Sequence, residues 1–458
     1  MTGRFAGETS VVDSYDVVVL GAGSGGERLA GLLADSGRSV AIVEQSLVGG
    51  ECPYTACIPS KAMLRAATAR RDAGRLVALG GAGTAVELDD DDLAWQAAVR
   101  RRDDLAEHLD DSEAAKGLEA RGVTLVRGRG EVSRPGTVVV DGRELTYRDL
   151  VVATGSTPVL PDVEGLDQID VWTSDDALTA SERPRSLLVL GGGAIGCELA
   201  QVHARFGVEV VLVEPSDQLL SGEEPRVAAG LAAALRDEGV DVRLDAEVRR
   251  FEPGVTAHVS DGSRVTVERV LVATGRKPRT GGLEPLGLTL TDDGGIDVDD
   301  RGRAAEHVFA IGDVTGLAPY THAANYQADV VADVLLGGDR RLDLRAIPRC
   351  VYTDPPVASV GSTDAPYTTC VDLGDVPRTG TDGARAGLLV LASDGEVLTG
   401  ASVLGLHADE LLAEATLAVK ARVPLHVLVD VVRPFPTVGE AYLPAVQQLL
   451  EVIASART

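Results

Sequence analysis

Residues 15–26 read Tyr-Asp-Val-Val-Val-Leu-Gly-Ala-Gly-Ser-Gly-Gly, an apolar run that ends in a cluster of glycines. The apolar part predicts a strand buried on both faces. A helix pattern follows to about Asp35, and a second strand over residues 39–43 ends at Glu44. Glycines permit a tight turn and a close phosphate, a helix N-terminus favours phosphate, and a carboxylate suits a ribose hydroxyl. The predicted dinucleotide-binding residues here are Gly21, Gly23, Gly26 and Glu44.

Residues 186–196 repeat this pattern, with an apolar strand that runs into a second glycine turn. Another strand, over residues 208–213, ends at Glu214. In both copies the carboxylate follows the middle glycine by 21 positions, and each copy closes on an apolar strand ending in Ala-Thr-Gly. Two dinucleotide sites in one chain fit a flavin and a nicotinamide, the alternative being one site and one vestigial copy. The predicted residues of this turn are Gly191, Gly193, Gly196 and Glu214.

The residues that follow Glu214 bear on the choice of nicotinamide. A carboxylate suits a free 2′-hydroxyl, whereas a 2′-phosphate favours a nearby arginine. Residues 215–225 contain no Arg or Lys. We therefore expect NAD(H) in preference to NADP(H).

Between the first glycine turn and its closing strand, residues 49–61 read Gly-Gly-Glu-Cys-Pro-Tyr-Thr-Ala-Cys-Ile-Pro-Ser-Lys, just before a helix pattern. Five residues of regular helix would separate Cys52 and Cys57 by about 7.5 Å along the axis. A disulfide needs Cα atoms about 5.5–6 Å apart, so we expect a distorted turn here. A thiol at a helix N-terminus is favoured as thiolate. The alternative is two unpaired core cysteines.

The pattern Gly-Gly-x-Cys-x4-Cys-Ile-Pro-Ser-Lys resembles the redox-active disulfide signature of the FAD-dependent pyridine nucleotide–disulfide oxidoreductases. That family includes dihydrolipoamide dehydrogenase, glutathione reductase and mercuric reductase. Between the cysteines this chain has Pro-Tyr-Thr-Ala, where relatives usually carry Leu/Val-Asn-Val-Gly. The resemblance covers about Tyr15 to Glu451. It implies an α/β fold with two Rossmann-like domains, plus a C-terminal α+β dimerisation domain and a homodimer.

The same resemblance implies a domain organisation. Residues 1–14 are expected to be a flexible tail, and the FAD-binding domain is expected to be discontinuous, over 15–155 and 280–345. The NAD(P)-binding domain would occupy residues 156–279. Residues 346–458 would form the dimerisation domain.

Matched to the family residue by residue, Cys57 would be the thiolate beside the flavin and Cys52 the interchange thiol that meets substrate. Lys61 would lie by the flavin and pair with Glu198; the alternatives are a solvated helix lysine and a carboxylate that interacts with a helix dipole. Further cofactor-binding positions implied by the resemblance are Gly50, Lys61, Gly130, Thr154, Gly155, Val248, Gly275, Arg276, Asp313, Thr321 and Ala323.

One departure from the family lies near the C-terminus. Disulfide-reducing relatives carry His-Pro-Thr-x-x-Glu there, with the histidine as acid–base for the interchange thiol, whereas this chain has Phe435-Pro436-Thr437-Val438-Gly439-Glu440. Phenylalanine cannot accept or donate a proton, so thiol–disulfide exchange loses its usual base. Glu440, which the resemblance implies to be a catalytic residue, is kept. Mercuric reductase also lacks that histidine, but its C-terminal cysteine pair is missing here. Conceivable substitute bases are Tyr54, Tyr320, His322 and Tyr442.

Three functions are compatible with these residues. The first is a dihydrolipoamide dehydrogenase-like enzyme that exchanges electrons between NAD(H) and a small or lipoyl-type dithiol/disulfide. The second is an NAD(P)H-dependent reductase of a metal ion, quinone or other small acceptor. The third is a flavin redox sensor or complex component without steady turnover.

Composition narrows the possible partners. The formal charge is −27, from 43 basic and 70 acidic residues, so we expect no binding to nucleic acid or to anionic membrane surfaces. The 5 cysteines are too few for a secreted disulfide framework, and a close pair in a reducing compartment is more often catalytic than structural. No signal peptide, membrane span or metal site is predicted, and we expect a cytoplasmic protein.

Overall fold

The computed structural model describes residues 13–384 and 387–457 of the chain. Residues 1–12 of the predicted tail lie outside the described residues. The prediction is wrong for Asp13 and Ser14, because both belong to the first strand. The α-helices of the described residues are α1 (Ser24–Asp35), α2 (Glu51–Tyr54), α3 (Cys57–Gly74), α4 (Asp91–Leu105), α5 (Ser112–Ala120), α6 (Ser174–Thr179), α7 (Ala194–Arg205), α8 (Pro225–Asp237), α9 (Thr321–Leu335), α10 (Pro377–Thr381), α11 (Ala408–Ala421), α12 (Leu425–Leu428) and α13 (Tyr442–Ala456).

The β-strands of the same residues, in chain order, are β1 (Asp13–Leu20), β2 (Val40–Glu44), β3 (Thr124–Arg127), β4 (Gly130–Arg134), β5 (Thr137–Val140), β6 (Arg143–Val152), β7 (Ser156–Pro158), β8 (Val171–Trp172), β9 (Ser186–Leu190), β10 (Glu209–Val213), β11 (Asp241–Arg243), β12 (Val248–Glu252), β13 (Thr256–Val259), β14 (Arg264–Thr266), β15 (Arg269–Val272), β16 (Arg276–Pro278), β17 (Arg303–Ala305), β18 (Val308–Ala310), β19 (Arg349–Val351), β20 (Val357–Gly361), β21 (Tyr367–Asp372), β22 (Leu388–Ser393) and β23 (Leu398–Leu404). Short 3-10 helices lie at Glu107–Leu109, Leu166–Gln168, Glu284–Leu286, Gly312–Thr315, Leu373–Asp375 and Val438–Ala441.

Packing divides the chain into two units. The first unit contains the described residues up to Cys57 together with Ala106–Thr157 and Arg276–Asp343. The second unit contains Ile58–Leu105, Pro158–Gly275 and the described residues from Leu344 onward. The first boundary falls inside α3, after its first residue.

Within the described residues, the first unit is built on an eight-stranded sheet with the order β17-β18-β6-β1-β2-β3, to which the β4–β5 hairpin is joined through β6. Strand β1 pairs in parallel with both β2 and β6. Val17 and Val19 pack with α1 and α9 on one face, while Val18 and Leu20 enter a separate core on the other. This burial on two faces explains why the strand is a continuous apolar run.

The second unit contains a parallel sheet with the order β11-β10-β9-β15-β8. Its central strand β9 repeats the arrangement of β1. Leu187 and Val189 pack with α7 and α8, whereas Leu188 and Leu190 pack with strands β12–β14 on the opposite face. The repeated sequence pattern therefore corresponds to a repeated fold.

The C-terminal part of the second unit is an α+β layer. Its antiparallel sheet has the order β19-β20-β23-β22-β21. Helices α11 and α13 bury apolar residues against it, among them Leu412 and Leu449. The predicted fold class, two Rossmann-like folds followed by an α+β domain, is confirmed.

Residues 89–92 are four aspartates, but they do not form one loop, because Asp91 and Asp92 form the first turn of α4. Carboxylates are stabilised at a helix N-terminus by the helix dipole, and Asp91 also pairs with Arg70. The segment without helix or strand instead spans residues 75–90.

Candidate active site

The first glycine turn joins β1 to α1 and leaves no room for side chains at two of its glycines. Gly21 has φ of 100°, and a Cβ there would lie 2.3 Å from the Ala153 carbonyl oxygen. A Cβ on Gly26 would lie 2.0 Å from the Gly21 carbonyl oxygen. At Gly23, by contrast, no heavy atom of the described residues outside its own stretch of chain lies within 4 Å. The turn is therefore closed towards the sheet and open above the N-terminus of α1, as a pyrophosphate requires.

Glu44, the last residue of β2, is buried and holds this turn. Its Oε2 accepts a hydrogen bond from the Ala22 amide at 2.7 Å, and its Oε1 accepts one from the Ser46 amide at 2.7 Å. The carboxylate is thus fixed beside the turn, where a ribose hydroxyl was predicted to meet it.

The second glycine turn reproduces these contacts. Gly191 has φ of 104°, and a Cβ there would lie 2.5 Å from the Ala273 carbonyl oxygen, while one on Gly196 would lie 2.0 Å from the Gly191 carbonyl oxygen. The position of a Cβ on Gly193 is open in the described part of the chain. The site therefore has the same shape above the N-terminus of α7.

Glu214 repeats the role of Glu44. Its Oε2 accepts from the Gly192 amide at 2.6 Å and its Oε1 from the Ser216 amide at 2.9 Å. Arg243, on the neighbouring strand β11, was not predicted from the sequence. Its carbonyl accepts the Glu214 amide at 2.9 Å. The Arg243 guanidinium is held by the Asp241 carboxylate and the Ser263 hydroxyl, each at 2.7 Å.

Four further predicted cofactor positions have different surroundings. Gly275 has φ of 116° with open space around it, whereas the Val248 side chain is buried in the core, so only its backbone could touch a cofactor. Gly130 opens β4, and a Cβ there would lie 2.8 Å from Leu20 Cδ2. Ala323 is fully buried in α9. A side chain at Gly130 would therefore displace methyl groups of the core.

The cysteine stretch is interrupted as the spacing predicts. Cys52 lies in α2, which ends at Tyr54, and Cys57 begins α3. Gly50 has φ of 73°, and a Cβ there would lie 2.8 Å from Gly23 Cα. The cysteine stretch therefore rests directly against the first glycine turn.

The Cys57 thiol lies at the start of two helices. Its Sγ is 3.6 Å from the hydroxyl oxygen of Thr321, the first residue of α9. The positive ends of the α3 and α9 dipoles favour a thiolate at this point. Thr321, predicted to contact the cofactor, is thereby brought to the predicted redox thiol.

A chain of polar contacts joins Asp313 to the residue before Cys52. The Ser156 hydroxyl donates to Asp313 Oδ2 at 2.7 Å and accepts from Arg276 Nε at 2.8 Å. The Arg276 guanidinium also pairs with Glu51, which Arg279 Nη2 contacts at 3.1 Å. Sequence reasoning predicted Asp313 and Arg276 but missed Glu51 and Arg279.

Two further predicted cofactor residues, Thr154 and Gly155, lie in the short connection between β6 and β7. The Thr154 hydroxyl donates to the Arg279 carbonyl oxygen at 2.6 Å. Gly155 has φ of 72°, with open space at its Cβ position among the described residues. Gly155 thus leaves room for a ligand, while Thr154 ties this connection to the segment that carries Arg276.

The predicted ion pair between Lys61 and Glu198 is present in the second unit. Lys61 Nζ lies 3.1 Å from Oε1 and 2.8 Å from Oε2 of Glu198. Glu198 is buried, whereas the Lys61 side chain is 37% exposed. Glu198 Oε1 also accepts the Tyr352 amide at 2.8 Å, a contact that the sequence did not indicate.

The C-terminal segment presents Phe435 where disulfide-reducing relatives have histidine. Its side chain is 73% exposed. Glu440 forms a capping box with Thr437, whose amide donates to Glu440 Oε2 at 3.1 Å. The retained glutamate therefore shapes the segment behind Phe435.

Two of the four substitute bases do not fit. Burial raises the pKa of Tyr442, whose hydroxyl donates to the Leu411 carbonyl oxygen at 2.9 Å. Burial, ahead of the nearby Glu107 and Asp111 carboxylates, also raises the pKa of Tyr54. Tyr320 and His322 stack on each other with ring centroids 5.4 Å apart, and His322 is exposed.

The described residues offer neither a metal site of clustered side chains nor a membrane-spanning helix. Within them no group of three or more His, Cys, Asp or Glu side chains is arranged to hold a metal ion. No helix there is both long and apolar enough to cross a membrane.

Comparison with known proteins identifies the class. Residues 15–328 match the family described as pyridine nucleotide-disulphide oxidoreductase, and residues 347–446 match its dimerisation domain. Fold and site together define an FAD-dependent NAD(P)H oxidoreductase. The chain belongs to the pyridine nucleotide-disulphide oxidoreductase family.

Its relatives have different activities. A mercuric reductase of Streptomyces lividans is 33% identical, over 96% of this chain and 97% of the relative. A dihydrolipoyl dehydrogenase of Thermus scotoductus is 35% identical, over 95% and 97%. The structure of the Cu(II) complex of the HOCl-induced flavoprotein disulfide reductase RclA from Escherichia coli is similar with a TM-score of 0.83, at 27% identity over 96% of this chain and 100% of that one.

Proposed function

We propose that the chain uses NADH to reduce a Cys52–Cys57 disulfide, which passes the electrons to a small or lipoyl-type disulfide, or runs in reverse from a dithiol. The observation that carries the proposal is the contact between the Cys57 thiol and Thr321, in the unit that holds the first glycine turn. The open space above Gly23 and the Ser156–Asp313 contact suit FAD in that unit. When bound, the flavin supplies the two-electron chemistry that links a hydride donor to a disulfide.

The protein's own groups account for the thiol steps. Two electrons break the Cys52–Cys57 bond, and Cys57 is kept as a thiolate by the helix N-termini around it. The Cys52 thiolate then attacks one sulfur of the substrate disulfide, and the other substrate sulfur leaves and takes a proton. Cys57 next attacks Cys52, which releases the second substrate thiol and restores the disulfide.

Domain boundaries and assembly belong to the same proposal. The FAD-binding domain would comprise residues 15–155 and 280–345, the NAD-binding domain 156–279, and the dimerisation domain 346–458. The match of residues 347–446 to a dimerisation domain supports a homodimer, which light scattering would check through a mass twice that of the chain. The reactive thiol pair suits a reducing compartment, and we propose a cytoplasmic location.

The preference for NADH is supported by the charges around the second turn. Glu214 places a fixed carboxylate where a 2′-phosphate would be repelled. Arg243, on the neighbouring strand, is already bonded to Asp241. An arginine engaged in this way is a poor partner for a phosphate.

A second candidate acceptor is favoured by Phe435. An exposed phenyl ring cannot supply the base that thiol–disulfide exchange uses, whereas a metal ion or quinone needs no such base at the thiol. The names of the relatives, which include mercuric reductases and a Cu(II) complex, support this alternative. The third candidate function is a flavin redox sensor or complex component without steady turnover.

Steady-state NADH oxidation with lipoamide, quinone and metal-ion acceptors separates these functions. We expect slow lipoamide turnover at neutral pH that rises with pH as more Cys52 becomes thiolate. Phe435→His should raise turnover at pH 7 by about 10²–10⁴-fold, the usual contribution of a positioned base. Phe435→Ala is the matched control, since it removes the ring without adding a base.

Three outcomes decide between the candidates. Fast lipoamide turnover by the unmodified protein, flat from pH 6 to 9, would show that another residue supplies the base. No gain from Phe435→His, with rapid reduction of a quinone or metal ion, would favour the second candidate. No turnover with any acceptor would favour the sensor.

A further inference from the structure

In the Lys61–Glu198 ion pair, the lysine side chain is much more exposed than the glutamate. Glu198 lies on α7 and its side chain is only 6% exposed, whereas the Lys61 side chain is 37% exposed. A lysine is a point charge on a flexible four-carbon chain, and holding it in one place costs side-chain entropy. Contacts beyond the ion pair are needed to keep the ammonium group in one position.

Tyr352 contacts both members of the pair. Its backbone amide donates to Glu198 Oε1 at 2.8 Å, the oxygen that also lies 3.1 Å from Lys61 Nζ. The face of its ring lies over the ammonium group, with the ring centroid 4.7 Å from Lys61 Nζ. One residue thus orients the carboxylate through its backbone and covers the cation with its side chain.

The surroundings of Tyr352 keep its ring neutral. Tyr352 is 41% exposed, and its partial burial is the main cause that raises the pKa of Tyr352 to about 12; the neighbouring Cys350 thiol, Asp409 and Glu198 act in the same direction. Burial also raises the pKa of Cys350, to about 11. A neutral ring attracts a cation through its quadrupole.

We propose that Tyr352 is a positioning residue that holds the Lys61 ammonium group against Glu198 through a cation–π contact. This inference rests on the proposed function, and on the place beside the flavin that the family resemblance implies for Lys61. No local sequence pattern indicates this contact, because Lys61 and Tyr352 lie far apart in the chain.

The lysine content of the chain permits a direct test. Its lysines are Lys61, Lys116, Lys277 and Lys420. Labelling of the FAD-loaded protein with a water-soluble amine-reactive acetylating reagent, followed by peptide mass spectrometry, gives the modification rate of each one. Tyr352→Leu removes the ring but keeps the backbone amide, and Tyr352→Phe keeps the ring but removes the hydroxyl. Lys116, an exposed partner of Glu113, is the internal control.

We expect Tyr352→Leu to raise the rate of Lys61 labelling about two- to fivefold over Lys116, the range of an exposed cation–π contact. Tyr352→Phe should leave the rate close to that of the unmodified protein. Equal Lys61 labelling in the Leu variant and the unmodified protein would overturn the proposal. Equal rises in the Leu and Phe variants would also overturn it, since the hydroxyl and not the ring would then be responsible.

Stopped-flow reduction of the bound flavin by NADH separates this inference from the proposed function. Slower reduction in Tyr352→Leu, with recovery in Tyr352→Phe, supports both. Faster Lys61 labelling with unchanged flavin reduction still supports the positioning role, and places the error in the function assigned to Lys61.

Discussion

Glu44 and Glu214 each combine two tasks in one side chain. Each carboxylate accepts one amide from its glycine turn and one from two residues further along the chain, at distances of 2.6–2.9 Å. The turn is thereby fixed, and a negative charge is placed where a ribose is expected. A substitution at Glu214 should therefore change both the cofactor preference and the order of the turn.

Replacing Glu214 with arginine should move the preference from NADH towards NADPH. The change removes the repulsive carboxylate and adds a phosphate partner, and a charge-assisted hydrogen bond of about 1.5–3 kcal/mol corresponds to at least about a tenfold change in the ratio of rates. Stopped-flow flavin reduction with each nicotinamide measures it. Glu214→Gln, which keeps an acceptor for the Gly192 amide, controls for loosening of the turn. Faster reduction of the unmodified protein by NADPH would contradict the assignment.

Single residues differed in how far the sequence could predict them. The glycines and the acidic position of each turn could be predicted because the spacing within one βαβ unit is local. The pairing of Glu51 with Arg276 joins residues 225 positions apart, and no local pattern encodes it. Tyr442 and Tyr54 could be rejected as bases only once their burial was known.

Among the elements, α7 links the second glycine turn to a core of aromatic residues. His203 near its end is fully buried between Trp95 and Trp172, with Nδ1 bonded to the Leu199 carbonyl oxygen at 2.8 Å. In the part of the chain that the structure describes, its Nε2 has no hydrogen-bond partner. Burial accordingly lowers the pKa of His203 from 6.5 to about 4.

This buried histidine should make the fold sensitive to acid. Between pH 6.5 and about 4 the unfolded chain binds a proton at His203 that the folded chain does not, so stability falls as the pH drops through this window. The shift corresponds to at most about 3 kcal/mol. The apparent melting temperature should fall less steeply from pH 7 to 4.5 in His203→Gln than in the unmodified protein. Parallel curves for the two proteins would contradict this account.

The sequence predicts helices and strands well where apolar residues follow a clear pattern, and poorly in short strands that lack one. The apolar strand predicted at the start of residues 186–196 is β9, which spans Ser186–Leu190. Strands β20 and β21 could not be predicted from periodicity, because small and polar residues such as Ala358, Ser359, Thr368 and Thr369 give no apolar alternation. Their pairing with β23 and β22 supplies what the local pattern lacks.

At the scale of the whole molecule, a duplicated fold provides two dinucleotide turns, and one interrupted helix provides the thiols. The cysteine stretch rests on the first turn through Gly50 and begins α3 at Cys57. The two glycine turns and the spacing of the cysteines are visible in the sequence, so the family could be predicted. The electron acceptor could not be predicted, because the C-terminal segment has Phe435 in place of the histidine of the family pattern.

If electrons pass to Cys57 and then to Cys52, the anaerobic absorption spectrum of the FAD-loaded protein should reveal the order. Reduction by NADH or a dithiol should give a long-wavelength charge-transfer band from the Cys57 thiolate to the flavin. Cys57→Ser should abolish this band, whereas Cys52→Ser should show it without any reductant. Identical spectra for the two variants, or no band in the reduced protein, would contradict the account.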